Sequence, residues 1–196
     1  PECIQELSTS GQLISMNMAG LSMFEVDALE QVNRVGIFSF LHEDDALELR
    51  ALYKRAIYGE DELTFRMRGY KGTARWLHTK VVPLHLQAEG QLRLLSITSD
   101  VTKRVQSEHA LQASERRLHE IIDMIPVSLF IKDADSRLTL MNRACEMQWG
   151  MAFADLQGTT GSQFFPAGQT QSFLEKDREA FDTGILIDFE EQAWSQ

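Results

Sequence analysis

The chain is poor in cysteine, with two residues in 196, Cys3 and Cys145, and neither belongs to a C-x-x-C pair or stands near a histidine cluster. That pattern speaks against a disulfide scaffold or a cysteine metal site and reads as two reduced, structural thiols in a cytoplasmic protein. A basic excess is also lacking: 19 Lys and Arg stand against 29 Asp and Glu, a formal net charge of −10. Binders of nucleic acid or of anionic membranes need a positive field, so both classes are excluded as general partners. Apolar runs are only a few residues long, so no segment spans a membrane, and no signal peptide is visible. The five histidines show no metal-ligand spacing. Nothing resembles a phosphate-cradling loop or a nucleophile elbow, and the acid–base constellation of an independent enzyme is missing. The chain starts at Pro1 without a methionine, which leads us to expect a fragment of a longer protein whose anchor, if it has one, lies elsewhere.

What is present is a repeat. Residues 12–24, QLISMNMAGLSMF, return at an offset of 125 as RLTLMNRACEMQW. Leu13 answers Leu138, Met16-Asn17 answers Met141-Asn142, Ala19 answers Ala144 and Phe24 answers Trp149. Further on, Phe38 and Phe40 are answered by Phe164 and Phe165, and Gly59 by Gly184. Such self-similarity predicts two copies of one module, the second ending about thirty residues early.

Ile4–Ser8 and Gln12–Asn17 read as strands joined by the turn Thr9-Ser10-Gly11. His42-Glu43-Asp44-Asp45 opens a helix over 46–58, closed by Gly59, with Leu49, Leu52, Tyr53 and Ala56 at helical spacing. Leu63–Arg68, Arg75–Pro83 and Gln91–Thr98 follow as strands, giving an α+β order. The second copy predicts strands near 128–133 and 137–142, helical segments through 143–183, and a strand from Ile185. Between the copies, residues 101–125 contain neither Gly nor Pro, and Leu111, Ser114, Leu118, Ile121 and Ile125 alternate by three and four. That is the spacing of a helical seam, and it predicts a linking amphipathic helix over 103–125 and a parallel homodimer.

The G-x-L-x-x-M-N stretch, the H-E-D-D helix start and the run G-T-A-R-W-L-x-x-K-x-x-P-L closing on S-I-T-S-D-V-T-K-R together resemble the PAS sensory domain. In the second copy Lys132-Asp133-Ala134-Asp135-Ser136, Phe164-Phe165-Pro166 and Asp177-Arg178-Glu179 fit the same pattern. The resemblance implies a five-stranded antiparallel sheet with helices over one face and a small apolar cavity, in two tandem copies. The expected domains are 1–102, a linking helix over 103–125, and an incomplete copy over 126–196. It also implies a sensory, signal-transmitting and dimerising part of a larger bacterial protein of histidine kinase or diguanylate cyclase type. The segment would be non-catalytic, its output domain lying outside it. Asp100-Val101-Thr102 looks like the junction that leads into PAS output helices, and with Leu111, Leu118, Ile121 and Ile125 it forms the expected signal relay. A ligand-free dimerisation scaffold and a flavin-binding redox sensor are the alternatives.

The candidate ligand pocket comprises Met16, Phe24, Phe38, Phe40, Trp76 and His78 in the first copy, and Met141, Trp149 and Phe164 in the second. Trp76 and His78 lie two apart on one strand and share a face, either inward as an aromatic pocket with one polar handle or outward over the sheet. No cofactor is predicted. Cysteinyl-flavin chemistry is disfavoured because no cysteine stands at the start of the main helix, and haem because helices 46–58 and 168–183 contain no histidine. Non-covalent flavin or a small metabolite remains compatible. Asn17 and Asn142 are expected to fix turns by side-chain to backbone bonds. Arg66, Arg68, Lys71, Arg75 and Lys80 crowd one hairpin and read as a solvated strand edge.

Overall fold

In a strand every second side chain faces the same way, so the apolar phase decides which face is buried. The computed structural model describes residues 2–85, 92–161, 164 and 167–185. In β1 (Cys3–Ser8) the buried phase holds Cys3, Gln5 and Leu7. The same alternation buries Leu13 in β2 (Leu13–Met16) and Phe65 and Met67 in β3 (Asp61–Arg68). It buries Leu77, Thr79 and Val81 in β4 (Ala74–His85), and Leu94, Ser96 and Thr98 in β5 (Leu92–Asp100). These strands form one antiparallel sheet in the order β2-β1-β5-β4-β3. The first and last strands in sequence are neighbours, Cys3 opposite Thr98 and Ser8 opposite Arg93.

The connection from β2 to β3 carries α1 (Met18–Phe24), α2 (Leu29–Val35), a 3-10 turn (Ile37–Phe40) and α3 (Glu43–Ala56). The helix expected over 46–58 starts three residues earlier and ends two earlier. Glu43, Asp44 and Asp45 lie inside its first turn, where carboxylates oppose the positive end of the helix dipole. Leu49, Leu52, Tyr53 and Ala56 are all buried, joining Phe24, Val32, Ile37 and Phe40 over the inner face of the sheet. Each such large side chain contributes about 2 kcal/mol by leaving water.

The chain divides into two compact units, residues 1–110 and 111–196, and α4 (Thr102–Met124) runs from one into the other. The second unit contains the hairpin of β6 (Phe130–Lys132) and β7 (Leu138–Met141), then α5 (Arg143–Trp149), α6 (Phe153–Leu156) and α7 (Ala167–Thr183). Its small core is Leu138, Met141, Cys145 and Leu156. The strand expected from Ile185 lies, beyond Ile185 itself, outside the described residues, as do Phe165 and Pro166.

One glycine is dictated by a close approach. A Cβ on Gly20 would stand 2.5 Å from Cys3 Sγ and 2.4 Å from Met16 Cγ. At the equivalent place in the second unit the thiol belongs to the helix, as Cys145, and interacts with Ser128. Gly20→Ala is expected to cost about 2 kcal/mol through overpacking. Cys3→Ala should restore part of that loss, so the double variant should lose less than the sum of the singles in urea denaturation. Strict additivity would refute the contact.

Candidate functional site

The inner face of the first sheet is not wholly apolar. Thr79 and Thr98 stand opposite one another on β4 and β5, and Gln5 stands opposite Ser96 on β1 and β5. Thr98 donates to Thr79 Oγ1 at 2.8 Å, and Thr79 and Ser96 share a bond of 2.8 Å, so the hydroxyls satisfy one another away from water. Above this polar floor is a cavity of about 10 Å³ lined by Gln5, Thr79 and Thr98 and by Phe24, Ile37, Leu41, Leu49, Tyr53, Phe65 and Leu77. That is room for about one water molecule. A flavin or a drug-sized metabolite needs at least about 300 Å³. No lining residue is a histidine or cysteine that would ligate haem iron. Burial pushes the neighbouring Cys3 thiol up to about 12 although Gln5 bonds to it, and Cys145 up to about 11, so neither is a nucleophile at neutral pH. Among the described residues no three His, Cys, Asp or Glu side chains gather as a metal site.

Of the pocket residues named from sequence, Phe24 lines the cavity and meets the buried Phe40 edge to face at 5.3 Å. Met16 is half-buried beside this core. Phe38 instead packs on Tyr53 at 6.1 Å and carries the Arg50 guanidinium at 3.8 Å, on the wall of a separate surface groove. Trp76 and His78 do not face the cavity, because Leu77, Thr79 and Val81 occupy the inner phase of β4. The indole lies on the outer face beside His109 of α4, at 6.4 Å between rings, and His78 bonds Thr64 there. In the second unit Met141 belongs to the small core, Trp149 packs against that core and on Phe130 at 5.2 Å, and Phe164 is exposed. The residues missed by sequence reasoning are Gln5, Thr79, Ser96 and Thr98. Their signal is a polar side chain recurring in the apolar phase, as Thr79 does between Leu77 and Val81.

The junction Asp100-Val101-Thr102 ties the end of β5 to the start of α4. Asp100 Oδ1 accepts from the Thr102 backbone N–H at 2.9 Å and from its hydroxyl at 2.5 Å. The Trp76 N–H donates to Thr102 Oγ1 at 2.9 Å, and the Trp76 carbonyl accepts from the Val101 N–H at 2.9 Å. Asp100 Oδ2 lies 3.4 Å from Arg75 Nε, and Arg75 Nη1 reaches Glu25 at 3.2 Å. Glu25, in a left-handed conformation at the end of α1, also accepts from the backbone N–H groups of Lys71 and Thr73. Bonds from Thr73 and Arg75 hold its carboxyl below the ordinary range. A Cβ on Gly69 would stand 2.6 Å from that carboxylate, so a side chain there would have to displace it. Arg66 likewise grips Asp45 through Nε and Nη2, at 2.8 and 3.0 Å, and lowers its pKa, while Lys80 meets Glu60 at 2.7 Å. Three of the hairpin's five cations are therefore committed to carboxylates.

Beyond the junction α4 has no buried residue, and residues 106–121 are exposed on every side. Leu111, Leu118 and Ile121 are 61%, 56% and 46% exposed. At the far end, Asn142 caps α5 by the same device that Asn17 uses on α1. Asn17 Oδ1 accepts from Ile4 and Gly20 and its Nδ2 donates to Glu2; Asn142 Oδ1 accepts from Leu129 and Cys145 and its Nδ2 donates to Val127. All three partners recur at the offset of 125.

A five-stranded antiparallel sheet of order β2-β1-β5-β4-β3, with a helical excursion between its second and third strands, defines an α+β unit with one covered face. A family model described as PAS fold matches residues 122–193. Among solved structures, the chain is similar to the PAS domain of an HTR-like protein from Haloarcula marismortui at 19% identity and TM-score 0.44, covering 51% of this chain and 81% of that one. It is similar to a sensory box histidine kinase/response regulator from Burkholderia thailandensis at 17% identity and TM-score 0.47, covering 61% and 91%. It is also similar to the PAS domain of a protein from Colwellia psychrerythraea at 19% identity and TM-score 0.45, covering 52% and 87%. No curated protein matches. Among the described residues no helix is long and apolar enough to cross a membrane.

Proposed function

We propose that the chain is a tandem pair of PAS modules, residues 1–102 and 126–196, joined by a signalling helix over 103–125, that senses and transmits within a larger protein of histidine kinase or diguanylate cyclase type. The observation that carries the reading is the covalent and hydrogen-bonded continuity from β5 through Asp100-Val101-Thr102 into a helix with an unpartnered apolar stripe. The recurrence of the asparagine cap at the repeat offset supports two copies of one module. A change in packing around the polar floor would move β5, and with it the first turn of α4, relative to Trp76. The helix then carries a rotation or register change onward, as a two-state element whose populations the input biases. Two copies of the chain associate along α4.

Replacing Thr102 by valine removes the hydroxyl that Trp76 and Asp100 share. Amide exchange over 102–110 and around 76–78 is expected to rise about tenfold, with α5 unchanged. Unchanged exchange at the base of α4 would sink the relay. The cavity of about 10 Å³ favours, as a second reading, a scaffold that dimerises without a ligand. Native mass spectrometry together with an absorbance scan across the flavin and haem region separates the two readings. A bound mass or visible chromophore favours the sensor, and a colourless protein of bare mass the scaffold.

A further inference from the structure

On the outer side of the β3–β4 hairpin, between the segment Ser39–His42 and the first turns of α4, lies a groove of about 490 Å³. Its lining includes Arg66, Arg68, Arg75 and Trp76 and, at the end formed by α4, Thr102 and Gln106. No carboxylate lines it, in a chain where acidic residues outnumber basic ones by 29 to 19. The acids that belong to this region are paired with its cations. Asp45 takes Arg66 by Nε and Nη2, while Glu25 and Asp100 take Arg75 by Nη1 and Nε. Among the described residues that leaves Arg66 Nη1 without a protein acceptor, on a guanidinium plane already fixed in orientation, while Arg75 shares the face of the buried Met67 and also donates to the Met23 carbonyl. Arg68 is exposed and its guanidinium has no ion pair or hydrogen bond among the described residues. Fixed forks of this kind lose little freedom when they take a phosphate or carboxylate. The half-buried Trp76 ring adds an apolar wall beside them, with the Arg66 guanidinium 5.9 Å from its centroid and His109 edge-on at 6.4 Å.

We propose that this groove binds a small planar-ring anion of the nucleoside phosphate class, with the phosphates on Arg68 and Arg66 and the ring beside Trp76. The volume falls within the range of small-molecule sites. The internal cavity of the first unit, by contrast, has space for about one water. A ligand in the groove would touch the hairpin and the base of α4 together. It would therefore bind one position of the helix better than another and shift their populations. That regulatory step rests on the signalling reading above; the binding itself does not.

Isothermal titration of the 196-residue chain with ADP, adenosine, inorganic phosphate and a hexaglutamate peptide tests the site. ADP is expected to bind at least about tenfold more tightly than adenosine or phosphate, and Arg68→Ala to weaken ADP about tenfold. Lys71→Ala, on the same hairpin but outside the groove, should leave binding unchanged. Arg68 is exposed, so its variant should keep the wild-type circular dichroism and denaturation midpoint. Absence of ADP binding, or equal binding by Arg68→Ala, overturns the site. Phosphate as tight as ADP overturns the ring-bearing class, and hexaglutamate tighter than ADP overturns the small ligand in favour of an acidic peptide. ADP binding with no effect on exchange over 102–110 would leave the site standing and remove its regulatory role.

Discussion

Asn142→Ala is expected to destabilise the second unit by about 3 kcal/mol, the largest loss for any single side chain outside the apolar cores. Asn142 is fully buried. Its Oδ1 accepts from the N–H groups of Leu129 at 2.9 Å and Cys145 at 3.0 Å. Its Nδ2 donates to Val127 O at 2.9 Å and lies 3.2 and 3.3 Å from the carbonyls of Ile122 and Ile125. One amide thus closes the last turn of α4, the approach to β6 and the first turn of α5. Alanine leaves the Leu129 N–H without its acceptor and removes the shared donor of the Val127 and Ile125 carbonyls, in bonds that are half-buried. Asn142→Asp should not rescue, because a carboxylate would face the carbonyls that now receive the amide. The equivalent Asn17, half-buried with fewer acceptors, should cost about half as much on conversion to alanine. Denaturant midpoints, with hydrogen exchange of α5 to localise the loss, check both. A midpoint for Asn142→Ala within error of wild type would refute the account.

In the dimer proposed above, Leu118→Glu is expected to raise the dissociation constant by at least about a hundredfold, read by sedimentation. The stripe of Leu111, Leu118 and Ile121 is exposed in the single chain. Most helical stability in proteins comes from packing of an apolar face, and this stripe has none, so these side chains call for a partner. In a parallel seam position 118 faces its own copy, and glutamate would place two like charges together in the apolar layer. Arg116→Gln, on the opposite side of the helix, should leave association unchanged. If Leu118→Glu sediments as wild type, α4 is not the seam.

The elements were legible in the sequence because each carries its own local signal. Alternation marked β1, β3, β4 and β5, and helical spacing of Leu49, Leu52, Tyr53 and Ala56 marked α3. The phase of β4 stayed open in the sequence. Trp76 and His78 shared a face as expected, but two aromatic or polar side chains do not say which face is inside. Leu77 and Val81, the flanking apolar residues, decide it by burying the other phase. Thr79, Ser96 and Thr98 escaped notice because threonine and serine are ordinary strand-surface residues. Only their hydrogen bonds across β4 and β5 show that they are core.

Sequence alone determined the offset of 125, the order of strands and helices, and the asparagines that start α1 and α5, since these depend on neighbours along the chain. Tertiary structure decided what depends on neighbours in space: the β1–β5 pairing that closes the sheet, the polar floor under a cavity of about 10 Å³, and the pairing of Arg66 and Arg75 with Asp45, Glu25 and Asp100. A run of cations on a hairpin reads the same in sequence whether its carboxylates stand in front of it or behind. Only the folded chain shows that none of these carboxylates lines the groove beside Trp76 at the base of α4.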